Sequence, residues 1–186
     1  SRIALKIHDC PRVRDVLDVT TWEDGTKGAH MQRVYEMRDQ AGKLRCAIRS
    51  DWVLVDPETR RIARPESFTA KKLTTCPVAI DCPPTRKVAL PRQGLEELGT
   101  RPVYWSDLDG NGHVYSGNYG DIAWDFLPPD LQERTPSAFY INYSREATLG
   151  QQLRLLGCRD GADAYLLEAV GPGGTCFTCR CEFQPA

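Results

Sequence analysis

Asn118-Tyr119-Gly120-Asp121-Ile122-Ala123-Trp124-Asp125-Phe126-Leu127 is a helical run in a chain whose other apolar residues mostly alternate. Tyr119, Ile122, Ala123 and Phe126 fall on one face at helical spacing. The reading places a helix over residues 117–127, ended by Pro128-Pro129, because proline supplies no N–H and clashes with the preceding turn. An expected strand, Val103 to Asp109, precedes it. Four alternating stretches follow, around Phe139/Ile141/Tyr143, Leu153/Leu155, Tyr165/Leu167 and the Cys-rich end. A single apolar-striped helix after one strand and before four must bury its stripe against their sheet. That predicts an α+β fold, an antiparallel sheet wrapped around a central helix.

The first half repeats the texture without the helix. Ile3/Leu5/Ile7, Leu17/Val19, Val34-Tyr35 and Cys46/Ile48/Trp52/Leu54 alternate. At an offset of 136, Ile3, Leu5 and Ile7 fall on Phe139, Ile141 and Tyr143, and Leu17 and Val19 on Leu153 and Leu155. The first unit therefore reads as lacking its opening strand and helix. Hairpin turns are expected at Asp39-Gln40-Ala41-Gly42, Arg159-Asp160-Gly161 and Gly171-Pro172-Gly173-Gly174. Residues 1–65 form the first expected unit and 101–186 the second. Residues 66–100, with Pro77, Pro83, Pro84 and Pro91, form a connector.

A net charge of −1 on 186 residues gives no global field for nucleic acid or an anionic membrane. No run approaches the roughly 20 apolar residues of a membrane span. The eight cysteines are dispersed in a chain large enough to fold without staples. They read as mostly reduced thiols, as in a cytoplasm. In Thr175-Cys176-Phe177-Thr178-Cys179-Arg180-Cys181-Glu182-Phe183, period two puts Phe177, Cys179, Cys181 and Phe183 on one buried face, with Cys176 opposite. That pattern does not supply the four convergent ligands of structural zinc.

The densest chemistry lies just before the helix, in Asp107-Leu108-Asp109-Gly110-Asn111-Gly112-His113-Val114. An acid, an amide and an imidazole recur at every second position, and the glycines let the backbone turn so that they converge. A turn whose Asp and Asn bond their own backbone is the plainer alternative. The start of a calcium loop also fits, but its twelfth position is Asn118 where a bidentate Glu is needed.

These residues resemble the acyl-ACP thioesterase family of plants and bacteria, built from two tandem hotdog units. Three segments carry the likeness. They are Asp109-x-Asn111-x-His113-Val114 with Tyr119 downstream, the run from Ser50 through Trp52-Val53-Leu54-Val55-Asp56-Pro57 to Pro65, and Ile141-Asn142-Tyr143-Ser144-Arg145-Glu146. Tyr115 and Ala147 depart from it, standing where the family usually has Asn and often has Cys.

The resemblance implies hydrolysis of fatty acyl-acyl carrier protein to free fatty acid in fatty acid biosynthesis, with no metal or organic cofactor. It implies a catalytic set of Asp109, Asn111, His113 and Glu146. Glu146 would be general base on water, and His113 would polarise the thioester or share proton transfer, with these two roles exchangeable. Asn111 would orient water or carbonyl, and Asp109 would hold the geometry. A backbone N–H near Gly117 or Asn118 would complete an oxyanion hole. The repeat adds independent interest in Glu146, whose counterpart in the first unit is Cys10. Arg60, Arg61, Arg64, Lys71 and Lys72 would form a basic zone for an acidic carrier, or simply a solvated face. An acyl-CoA thioesterase and a non-catalytic acyl-binding protein are the alternatives. The oligomeric state, a homodimer included, stays open, because two units in one chain can satisfy each other's pairing.

Overall fold

A computed structural model describes residues 1–56, 58–59, 61–63 and 78–185. They divide into two compact units, Ser1–Arg86 and Lys87–Ala186.

The first unit is an antiparallel sheet of β1 (Arg2–Ile7), β2 (Leu17–Lys27), β3 (His30–Asp39) and β4 (Leu44–Val55), in the order β2-β3-β4-β1. The short β5 (Ile62–Ala63) pairs with β4. One face is drawn shut by residues 81–85. Lys6 pairs with Asp81 at 2.7 Å, Arg49 donates to the Cys82 carbonyl at 3.1 Å, and Thr85 donates to Asp51 at 2.5 Å. Under this strap Ala4, Val34 and Ala47 are fully buried. The β2–β3 hairpin turns at Gly28, which takes φ +60°. The sequence misdirects here, because the nearby Asp-Gly pair, Asp24-Gly25, lies inside β2 beside a bulge and not at the turn.

The second unit is a sheet ordered β7-β10-β9-β8-β6 with one principal helix. Its elements are β6 (Glu96–Pro102), α1 (Asn118–Asp125), α2 (Pro129–Gln132), β7 (Pro136–Tyr143), β8 (Gln152–Arg159), β9 (Ala164–Gly171) and β10 (Gly174–Phe183). All three expected hairpins lie between these strand ends and those of β3 and β4. β7 to β10 repeat the connectivity of β1 to β4. Within each of these four-strand repeats the first strand pairs with the last, β1 with β4 through Ile7 facing Cys46 and β7 with β10 through Tyr143 facing Phe177. No counterpart of α1 occurs among the described residues of the first unit.

The helical stripe is buried at three of its four positions, while α1 stops at Asp125 and Phe126 lies half-buried just beyond it. Tyr119, Ile122 and Ala123 are buried, and Tyr119 sets its ring 5.0 Å from that of Phe177 on β10. Phe177, Cys179, Cys181 and Phe183 are all buried on one face, so the period-two reading holds. Fully burying a side chain such as Phe177 stabilises by roughly 1.5–3 kcal/mol. Cys176 corrects that reading. It is also buried, because a bulge between Thr175 and Phe177 breaks the alternation and turns its thiol inward.

A second correction concerns the strand before the loop. It is Glu96–Pro102, not Val103 to Asp109. Pro102 has no N–H to extend the ladder. Asp107 then curls residues 105–107 into a 3₁₀ turn by accepting the Tyr104 N–H at 2.7 Å.

Candidate active site

The polar loop is a closed turn. The Asp109 N–H donates to the His113 carbonyl at 2.8 Å and the Gly112 N–H to the Asp109 carbonyl at 3.1 Å, with Gly112 at φ +77°. The Asp109 carboxylate accepts the Asn111 N–H at 2.8 Å and the His113 N–H at 3.3 Å. These N–H groups, Asn111's first, hold its carboxyl below the usual carboxylate range. The Asx-turn reading and the site reading are therefore both present in one residue. Asp109 shapes the turn through its backbone donors.

His113 is carried toward the acid by strand-like pairing. It bridges Thr148, and the Val114 N–H donates to the Ala147 carbonyl at 2.9 Å. Ser144 and Arg145 in turn donate to the Cys176 carbonyl at 2.8 and 3.3 Å, which bends the chain beyond β7 and presents Glu146. His113 Nε2 then lies 3.3 Å from Glu146 Oε2. The imidazole is 28% and the carboxylate 51% exposed, so water reaches both. Asn111 is exposed at the tip of the same turn.

The structure thus brings His113 and Glu146 together, with Asp109 and Asn111 on the turn that carries His113. It does not leave the Asn118 N–H open for an oxyanion, since that group donates to the Tyr115 carbonyl at 2.9 Å. The Tyr115 ring also packs on Gly117, where an added Cβ would come within 2.7 Å of it. Of the basic zone, only Arg61 lies among the described residues. Those residues contain no group of three or more potential metal ligands.

Two supports were given no role at the site by the sequence reading. Tyr119 stands behind the pair, 4% exposed, and burial pushes its hydroxyl up to about 12. Its ring lies 5.9 Å from that of Tyr143, whose hydroxyl donates to the Ser116 carbonyl at 3.2 Å. The second is the Arg101–Asp107 pair, bonded twice at 2.8 Å. Both members are visible in the sequence, but nothing in a six-residue separation announces that they meet. Cys46 on β4 and Cys158 on β8 have their thiols pushed up by burial, which keeps them protonated and unreactive.

An antiparallel sheet over one helix is a hotdog-like arrangement. Among solved structures, the chain superposes on an acyl-ACP thioesterase from Bacteroides thetaiotaomicron VPI-5482 with a TM-score of 0.86 and 22% identity, over 99% of this chain and 75% of that one. A 12:0-ACP thioesterase from Umbellularia californica gives 0.81 and 23%, over 100% and 74%. A MaoC-like dehydratase from Phytophthora capsici gives 0.61 and 13%, over 98% and 68%, so the fold by itself serves more than one chemistry. No curated protein matches the sequence.

The family is fixed by the sequence models. Residues 1–71 match the acyl-ACP thioesterase N-terminal domain and residues 95–166 the C-terminal domain. The chain belongs to the acyl-ACP thioesterase family, whose reaction is hydrolysis of a fatty acyl-acyl carrier protein thioester. Among the described residues no helix is long and apolar enough to cross a membrane.

Proposed function

We propose that the second unit carries out this hydrolysis with Glu146 as general base and His113 as its partner. The observation that carries the proposal is the 3.3 Å approach of His113 Nε2 to Glu146 Oε2, with water able to reach both groups. Glu146 takes a proton from water as the oxygen attacks the thioester carbonyl carbon. The carbonyl oxygen becomes an oxyanion, and the amide of Asn111 and the imidazole N–H of His113 are the donors available to it on this turn. The oxyanion collapses, the C–S bond breaks, and the proton held by Glu146 passes to the departing thiolate. Free fatty acid and carrier thiol result. Asp109 contributes by fixing the Asn111 and His113 backbone.

The matching connectivity of β1–β4 and β7–β10 supports a tandem hotdog architecture. Residues 1–65 would make the first unit and the connector would run from 66 only as far as residue 95, since the second unit's sheet opens at β6 (Glu96–Pro102) and not at residue 101. The hydrolase reading would put the protein in a bacterial cytoplasm, a reducing compartment that suits its dispersed cysteines. The test is thiol release from matched acyl-ACP and acyl-CoA thioesters. Faster turnover of the carrier thioester, lost in Glu146→Gln and His113→Ala, is the expected result. Preference for CoA would reassign the substrate, and acyl-chain binding without thiol release would make this an acyl-binding protein.

A further inference from the structure

We infer that Arg101 and Asp107 form a positioning clamp for the catalytic turn, acting through His113; the inference rests on the reading of His113 and Glu146 given above. Asp107 is 5% exposed, and its carboxylate is fully engaged. Its two oxygens receive the Arg101 guanidinium at 2.8 Å each, and one of them also takes the Tyr104 N–H at 2.7 Å. Such a two-pronged bond fixes orientation as well as distance, because guanidinium and carboxylate are both planar. The guanidinium is itself backed by the Tyr104 ring, 5.5 Å from its centroid.

The main chain of the same residue faces the other way. The Asp107 carbonyl accepts the Tyr115 N–H at 2.8 Å and the Asn118 side-chain amide at 3.2 Å. Asp107 therefore ties β6 to the first residue of α1 and closes both ends of the 108–114 turn. Leu108 and Val114 bridge one another just inside that closure. His113 sits one residue further in, so its ring inherits its place from this frame. Glu146 is set from elsewhere, by Ser144 and Arg145 donating to the Cys176 carbonyl. The imidazole–carboxylate distance is thus the meeting of two arms joined by the Val114–Ala147 bond and the His113–Thr148 bridge, with the clamp holding the far side of the His113 arm and the Cys176 carbonyl the far side of the Glu146 arm. A displacement near 1 Å at such a meeting costs about a hundredfold in rate without touching the reacting atoms.

The test uses the whole chain, with dodecanoyl-ACP as probe and ¹⁵N resonances of the three histidines as a second readout. Asp107→Asn and Arg101→Lys both remove the paired geometry, and Arg101→Lys keeps the cation. In each, kcat is expected to fall about 10- to 100-fold with KM changed less than about threefold. The His113 Nε2 signal should move toward its position in Glu146→Gln, while those of His8 and His30 stay in place. Should Asp107→Asn not fold, Arg101→Lys carries the test alone. Wild-type kcat in the folded variants, or an unmoved His113 signal beside a lowered thermal midpoint, overturns the clamp as a positioning device. A Glu146→Gln variant with wild-type kcat instead overturns the catalytic reading, and the clamp with it.

Discussion

Replacing Glu146 by Gln should separate activity from stability, because the two depend on this residue through different distances. In the fold, Glu146 meets His113 at 3.3 Å with half its side chain in water. Even with both groups charged, opposite charges at 3.3 Å in water attract by only ~1.3 kcal/mol. Measured exposed pairs yield about 1 kcal/mol or less once side-chain ordering is included. For a chain of 186 residues that corresponds to a melting shift of about 2–4 °C at most. In the reaction the same carboxylate must remove a proton from water, and loss of a general base costs about 10²–10⁴-fold, or ~2.7–5.5 kcal/mol of barrier. The assay is thiol release from acyl-ACP by a chromogenic disulfide, read beside thermal unfolding of the same preparation. Turnover within about threefold of wild type would refute the assignment, as would a melting drop large enough to account for the lost rate.

Other expectations test the supports. Phe177→Ala removes a fully buried ring packed on Tyr119 and should cost about 3–5 kcal/mol in denaturant unfolding. Gly157→Ala should also destabilise, since its Cβ would lie 2.7 Å from the Tyr165 ring and 2.9 Å from the Leu166 carbonyl; expression and melting report it. Asp107 has its carboxyl held below the ordinary 3.8 by Arg101. Its contribution is therefore present above pH 3.8 and is lost as pH falls through the lower folded value, so acid unfolding of Asp107→Asn should lose part of that acid-side slope. Tyr119 is raised to about 12, so the fold binds its proton more tightly than the unfolded chain does. Its stabilisation is whole below pH 10 and fades as pH rises from 10 to about 12. Ultraviolet titration should show the Tyr119 signal coming up together with alkaline unfolding.

Local pattern determined a good deal here. Spacing of Tyr119, Ile122 and Ala123 marked the helix and its buried face. Alternation through Phe177, Cys179, Cys181 and Phe183 marked a one-sided strand. Both follow from the fixed periods of helix and strand, which write burial directly into residue order. The offset of 136 anticipated the shared connectivity of β1–β4 and β7–β10, because equivalent strands carry equivalent apolar faces.

What only tertiary structure decided are the meetings of distant groups. The strand before the loop came early because Pro102 ended its ladder and the Asp107 carboxylate captured the Tyr104 N–H, and a side-chain competitor of this kind leaves no periodic trace. A bulge turned Cys176 inward against the alternation of its neighbours. The approach of Glu146 to His113 needed the Thr148 bridge on one side and the Cys176 carbonyl on the other, residues far apart in sequence. Periodicity tells which face a side chain takes. Which carboxylate stands opposite which imidazole is set by chain closure, and closure is a property of the whole sheet.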